Sequence, residues 1–313
     1  MIYESKEVVL QGKRQTILLE GKTENAPVMI MFHGGPWSPI IYGEAYGGCY
    51  PELSERYILV WWDQYGCGKN YVQEPGELVV EDFAKMAVDL TDEIRKMYPD
   101  YKIYLNGNSF GAYLATYTAW HRQDVVSGVI ILGPIMDMKQ AAENFYQACK
   151  KRLSEQEKKQ VADSRIKSPF TYLLTVSNLA EKYTNCAHYK GKEASDSMSG
   201  KWMLRLLTSK DYRLGDVIGV LKSSSAMGKN HMKLWDSLLD VNIRQMTEEL
   251  TMPVLYLQGE EELYILPKEM ERIAAEHDNM RYVKFKNCGH IPTKEAWPEM
   301  LEEMAAFSDS KYP

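Results

Sequence analysis

Apolar residues gather along this chain in two rhythms. The first is the short unbroken run. Val28-Met29-Ile30-Met31-Phe32 follows Pro27, and Tyr57-Ile58-Leu59-Val60-Trp61-Trp62 comes later. Such runs are too short for helices and have no polar side, so they suit parallel strands buried on both faces. Lys102-Ile103-Tyr104-Leu105-Asn106, Val129-Ile130-Ile131-Leu132, Pro253-Val254-Leu255-Tyr256-Leu257 and Tyr282-Val283-Lys284-Phe285 continue the series. The second rhythm is a spacing of three and four. Val80, Phe83, Ala87, Leu90, Ile94 and Met97 mark an amphipathic helix that Pro99 stops. Further helices are expected over Phe110 to His121, around Met270 and Ile273, and from about Trp297 to Phe307. At the start, Val8-Val9-Leu10 and Thr16-Ile17-Leu18-Leu19 flank Gln11-Gly12-Lys13 as the arms of a hairpin would. Strands alternating with helices imply right-handed crossovers and an α/β fold with a mostly parallel, doubly wound sheet.

The alternation stops after about Lys139. From Ala141 to Trp235 no strand-like run occurs, only helical patterns and loops rich in Ser, Gly and Lys, such as Lys190-Gly191-Lys192 and Ser195 to Gly200. The expected organisation is a core of residues 1–140 and 236–313 with a helical cap, 141–235, inserted into it. That segment carries 17 Lys or Arg and 9 Asp or Glu, which leaves 20 and 34 for the remainder. A cap of about +8 thus sits on a core of about −14. Solvated helix faces account for charges of this kind, and a basic cap also favours a neutral or anionic substrate.

Composition narrows the classes. Apolar residues at 45% and charged residues at 26% are those of an ordinary soluble globular protein. A net charge of −6 gives no reason to expect nucleic acid as a partner. No run is long enough for a membrane span, and Met1 to Glu7 lacks the apolar stretch of a secretory signal. Five cysteines without paired spacing read as reduced thiols, so a cytoplasmic protein with no membrane partner is expected. No metal cluster or dinucleotide fingerprint is visible, and no cofactor is expected. Gly66-Cys67-Gly68 is a turn after a strand, without the spacing of a phosphate loop.

Gly107-Asn108-Ser109-Phe110-Gly111 is the stretch richest in chemistry, because it joins a strand to a helix. Glycines on both sides permit a turn tight enough to push the Ser109 hydroxyl into the open, with a helix N-terminus behind it. A serine hydroxyl needs a base to take its proton, and the base needs an acceptor to hold its tautomer. His290, in Asn287-Cys288-Gly289-His290, follows the last expected strand and is the candidate base. Candidate acids follow the preceding strand in Gly259-Glu260-Glu261-Glu262, with Glu262 preferred and Asp137, just past the Val129–Leu132 strand, as the alternative. For a developing oxyanion the donors would be the Phe110 N–H and, from His33-Gly34-Gly35-Pro36, the Gly35 N–H or else the Gly34 N–H. His33 is expected to brace that loop. Trp37 and Tyr42 are candidate pocket residues, with Tyr46, Tyr146, Phe170, Tyr172 and Trp202 as further aromatic lining.

With these motifs the chain resembles the α/β-hydrolases, and within them the proline iminopeptidase group. Three strings carry the resemblance: His33-Gly34-Gly35-Pro36, Asp63-Gln64-Tyr65-Gly66-Cys67-Gly68-Lys69-Asn70, and Gly107-Asn108-Ser109-Phe110-Gly111. Gly259 to Glu262 and Gly289-His290 extend it across the core, while the expected cap matches nothing. The resemblance implies a serine hydrolase with a Ser109, His290, Glu262 triad that releases an N-terminal residue from short peptides. A carboxylesterase or lactonase on a small apolar ester is the alternative, and a ligand-binding or sensory protein of the same fold is a third. The partner is a small molecule or short peptide; oligomeric state is open. The group commonly has glycine where Trp37 stands, arginine at Tyr65, tryptophan at Phe110 and aspartate at Glu262. An iminopeptidase also needs acidic groups for the substrate's ammonium, and Glu143, Glu155, Glu157 and Glu181 are available.

Overall fold

The unbroken runs form one sheet. In the computed structural model, which describes residues 1–41, 45, 52–186, 204–225, 231–290, 292–293 and 295–309, the strands are β1 (Ile2–Leu10), β2 (Lys13–Gly21), β3 (Val28–Phe32), β4 (Ile58–Trp62), β5 (Ile103–Asn108), β6 (Val126–Leu132), β7 (Val254–Gly259) and β8 (Met280–Phe285). Their order across the sheet is β1-β2-β4-β3-β5-β6-β7-β8. The β1–β2 and β2–β4 pairs are antiparallel and every other pair is parallel. The opening hairpin is therefore real and serves as one edge of the sheet.

Alternation explains why these runs are apolar throughout. Val28, Ile30 and Phe32 of β3 pack into one core layer, and Met29 and Met31 into the other. On β4, Ile58, Val60 and Trp62 join the first layer while Leu59 and Trp61 join the second. Side chains two residues apart share a face, so a strand covered on both sides has no position left for a polar residue. Helix α1 (Val80–Met97) and helix α2 (Phe110–His121) cover the first layer. The expected amphipathic stripe is the buried side of α1, which ends at Tyr98, before Pro99. Arg95 donates to the carbonyls of Tyr98, Pro99, Tyr101 and Val125, which ties that helix end to the start of β6.

Between β6 and β7 the described chain is helical: α3 (Met138–Cys149), α4 (Glu155–Lys167), α5 (Pro169–Tyr183), α6 (Leu214–Ser225) and α7 (Met232–Ser237). The joints expected at 140/141 and 235/236 fall inside α3 and α7. A narrower neck lies nearby, where Asp137 and Asn242 form an isolated antiparallel bridge. There the Met138 N–H donates to the Val241 carbonyl (3.0 Å) and the Ile243 N–H to the Met136 carbonyl (2.8 Å), so departing and returning chain are stitched together. Helices α8 (Pro267–Ala275) and α9 (Trp297–Ala306) flank β8, and short helical turns lie at Leu53–Arg56 and Arg244–Glu248. None of the described helices is long and apolar enough to cross a membrane. Tyr42, Tyr46 and Trp202, and the loops at 190–200, lie outside the described residues.

Candidate active site

Parallel strands point their carboxyl ends the same way, and side chains on the loops just past those ends converge. Ser109 follows β5 and opens α2 in a strained conformation (φ 55°, ψ −115°) that ordinary residues avoid. Its N–H is held by the Leu132 carbonyl at 3.0 Å. Gly111 is obligatory on the inner side of the turn, since a Cβ there would overlap the carbonyl oxygen of Phe32. The half-buried hydroxyl is left pointing out of the turn, with the first turn of α2 beneath it.

His290 approaches from the loop after β8. Its Nε2 lies 2.8 Å from Ser109 Oγ and its Nδ1 lies 2.5 Å from Glu262 Oε2. In the tautomer this line requires, Nδ1–H donates to the carboxylate and Nε2 accepts from the serine. Glu262 is 1% exposed and follows β7. Its second oxygen accepts the N–H groups of Leu263 (2.7 Å) and Tyr264 (2.9 Å), so the buried carboxylate has a partner on each oxygen. The longer side chain of glutamate is accommodated by this turn of backbone folding under it.

Asp137, the alternative acid, is placed elsewhere. It caps α3, accepting from the N–H groups of Lys139 (2.9 Å) and Gln140 (3.0 Å), and it accepts from Asn242 Nδ2 at 2.8 Å. Its carboxylate belongs to the neck, and its side chain is committed to holding a helix start. Glu260 accepts from the Asn287 N–H at 2.6 Å and thereby pins the base of the His290 loop.

The loop after β3 lies against the serine. A Cβ on Gly34 would stand 3.3 Å from Ser109 Cβ, so only glycine leaves the serine this neighbour without crowding. Among the described residues, the N–H groups of Gly35 and Phe110 donate to no backbone acceptor; Phe110 directly follows Ser109, and Gly35 follows the Gly34 that packs against that serine. His33 is buried and braces the loop: its Nε2 accepts from the Gln64 N–H at 2.9 Å and its Nδ1 meets the Gly34 carbonyl at 2.7 Å. Burial lowers its pKa, partly countered by the charge of Asp63, so it stays neutral.

Trp37 corrects an expectation. It is 2% exposed, its indole N–H donates to the Tyr65 carbonyl at 2.8 Å, and its ring packs edge-on against His231 (4.8 Å), Trp235 and Phe83. It lies in the core beneath the loop, more enclosed than a residue at an open mouth would be. Cys67 is likewise fully buried, with burial pushing its thiol pKa well above the ordinary range.

A sequence model of the alpha/beta hydrolase fold matches residues 27–296. The chain belongs to that family. A probable aminopeptidase, YbaC, of Bacillus subtilis strain 168 is 22% identical over 313 residues, covering 97% of this chain and 94% of the relative. A proline iminopeptidase of Thermoplasma volcanium is 24% identical over 280 residues, covering 86% and 85%. Among solved structures, a proline iminopeptidase of Mycobacterium smegmatis superposes with a TM-score of 0.66 at 17% identity over 97% of each chain, a likeness of fold.

Among the described residues, the helices between β6 and β7 bring one acidic group of note to this site. Glu181, near the end of α5, interacts electrostatically with His290. The side chain as a whole is open to solvent, yet its carboxyl is crowded enough for desolvation to raise its pKa. The other glutamates considered for an ammonium are occupied otherwise. Glu157 binds Lys182, Tyr183 and the Ser154 cap; Glu155 pairs with Lys158; Glu143 accepts from Gln147. Sequence reasoning missed Tyr264, whose ring lies on the His290 imidazole (centroids 4.3 Å apart, planes at 38°). An aromatic two residues after the acid was its only trace.

Proposed function

We propose that this protein is a serine hydrolase working through an acyl-enzyme, and that its substrates are short peptides or aminoacyl amides with a free N-terminus. The observation that carries the reading is the hydrogen-bonded line from Glu262 through His290 to Ser109. Ser109 Oγ attacks the acyl carbon as His290 takes its proton. Glu262 stabilises the imidazolium, and the oxyanion collects the Phe110 N–H and the Gly35 N–H, or the Gly34 N–H in its place. Such preorganised donors are worth roughly 3–4 kcal/mol each. His290 then protonates the leaving amine, and water repeats the sequence on the ester. The helices between the stitched neck strands act as the cap over this cleft.

Two things support an aminopeptidase over a simple esterase. The relatives bear aminopeptidase and iminopeptidase names along nearly their whole length. Glu181 also offers a negative charge beside the base, where a substrate ammonium would gain from it. The test compares proline and alanine arylamides with p-nitrophenyl esters in the wild type, Ser109→Ala and Glu181→Gln. Ser109→Ala should abolish turnover and labelling by a fluorophosphonate. Glu181→Gln should raise KM about ten-fold or more for the free-amine arylamide and leave the ester within about two-fold, the scale of a lost charge-assisted contact. Equal effects on capped and free amines would remove the aminopeptidase reading, and an unlabelled Ser109 would remove the hydrolase reading.

A further inference from the structure

Two hydrogen bonds fix the His290 imidazole at its nitrogens, but they leave one motion. The ring can still rock about the line joining Nδ1 and Nε2, and each excursion bends both bonds away from their best angle. The structure supplies two walls against that motion. One is Gly133, just past β6, with φ 60° and its N–H on the Leu257 carbonyl at 3.0 Å. A Cβ there would stand 2.9 Å from His290 Cε1 and 3.0 Å from Nδ1, so the backbone itself touches the ring. Close against the same imidazole lies the Tyr264 ring, at 4.3 Å between centroids.

Tyr264 is also tied to the rest of the site. Its N–H is one of the two that hold Glu262 Oε1. Its ring meets Phe145 of α3 edge-on at 5.0 Å, and the neighbouring Leu263 carbonyl accepts from Asn144 Nδ2, also on α3, at 3.0 Å. The first helix beyond the neck therefore presses the Tyr264 ring into place.

We propose that Tyr264 is a positioning residue for proton transfer: with Gly133 it forms a slot that keeps the His290 imidazole in plane between Ser109 and Glu262, and its π face stabilises the imidazolium formed as the serine attacks. The inference rests on the serine hydrolase reading above. Among the described residues, the groups around His290 are Glu262 after β7, Glu181 on α5, the Ser109 hydroxyl, the Tyr264 phenol and Cys186 beyond α5, whose carbonyl accepts the His290 N–H. Burial pushes Cys186 up to about 11 and raises Tyr264 too, so near neutral pH both are uncharged. Both carboxylates favour the imidazolium; the ring acts in the same direction by its negative face and, unlike them, also limits motion.

The test measures the rate of Ser109 labelling by a fluorophosphonate against pH, together with kcat and KM on an arylamide, for wild type, Tyr264→Leu, Tyr264→Met and Tyr264→Phe. Leucine and methionine fill space without a π face. They should slow labelling and kcat about ten-fold, change KM less than about two-fold, and move the acid limb of the labelling profile down by roughly half a pH unit. Tyr264→Phe, which keeps the ring, should restore most of the rate. Methionine covers the case in which the leucine variant fails to fold, since its unbranched chain adapts to irregular space. Wild-type rates and an unmoved acid limb in the folded leucine or methionine variant would overturn the proposal, as would a phenylalanine variant as slow as they are. A wild type that is not labelled at all would instead end the serine hydrolase reading.

Discussion

Ser109, Glu262 and His290 stand on loops that are tied down by hydrogen bonds near each position, whereas the carboxyl of Glu181, on an inserted helix, makes no hydrogen bond to another described residue. The Ser109 N–H is held by β6. The Glu262 carboxylate is held by the two amides that follow it, and the His290 loop by Glu260. The inserted helices share the core's apolar cluster through residues such as Phe145, Leu173 and Trp235, and add polar joints of their own: Arg165 lies over the rings of Tyr146 and Tyr172, and Glu157 binds Lys182 across α4 and α5. Contacts of that kind reach solvent and can be exchanged one at a time. On the function proposed above, this division would give bond-making to the backbone-locked loops and substrate selection to helices whose exposed residues can vary without moving the reacting atoms.

The largest effect should come from breaking the rigid side. Glu262→Gln keeps the shape but offers an N–H or a weaker acceptor to Nδ1, and kcat should fall by roughly 10³–10⁴-fold. Asp137→Ala, in the neck, should lose about 1 kcal/mol of stability as the cap of α3 is removed and leave kcat within about three-fold. Steady-state kinetics beside thermal unfolding reads both. If the two variants exchanged profiles, the assignment of acid and cap would be reversed.

A second test acts on the joint between the two regions. Asp63, just past β4, is fully buried and accepts the N–H groups of Ile40 (2.9 Å), Ile41 (3.2 Å) and Lys69 (2.9 Å). It also accepts the hydroxyl of Tyr212, which lies just before α6. One carboxylate thus ties the loop beyond Gly35 to the inserted segment. Tyr212→Phe removes one of four donors and should cost about 1–2 kcal/mol in urea unfolding, with kcat little changed. Asp63→Ala strands three buried amides and should cost at least about 3 kcal/mol. A Tyr212→Phe variant as unstable as Asp63→Ala would mean that the side-chain contact, and not the backbone donors, carries the joint.

The core was readable because its burial is two-sided: an apolar run such as Val28–Phe32 admits one interpretation, and the loops after such runs are where converging groups must sit. His290 could be placed by that rule, and Glu262 could be made a candidate. The rule cannot separate two carboxylates that both follow a strand, which is why Asp137 stayed open until its bonds to Lys139, Gln140 and Asn242 were visible. Trp37 misled for a related reason: what buries it, Gly66, His231 and Trp235, comes from distant stretches of chain. Four glutamates in the inserted segment were equivalent as letters, and only packing distinguishes the one near His290. The hydrogen-bonded site was legible from order along the chain; its second layer, Tyr264 over His290 and Asp63 under Tyr212, depends on contacts that no local pattern encodes.

The smallest expected effect concerns acid. Glu157 accepts from Lys182 Nζ at 2.6 Å, the Ser154 N–H at 2.8 Å and the Tyr183 hydroxyl, and these bonds, Lys182 foremost, hold its pKa down at about 2. A carboxylate held below its unfolded value of about 4.3 binds fewer protons folded than unfolded. Its contribution is therefore complete above that value and fades as pH falls from there through about 2. Because Glu157 joins the start of α4 to the end of α5, the loss should appear first in those helices. Amide exchange measured between pH 6 and pH 2.5 should show protection in α4 and α5 declining before that of β3 and β5. Glu157→Gln should begin with lower protection at neutral pH and show a flatter response. If the helices and the strands lost protection together, with the variant following the wild type, the inserted helices would share the stability of the core, and the contrast between a rigid and an exchangeable region would not hold in solution.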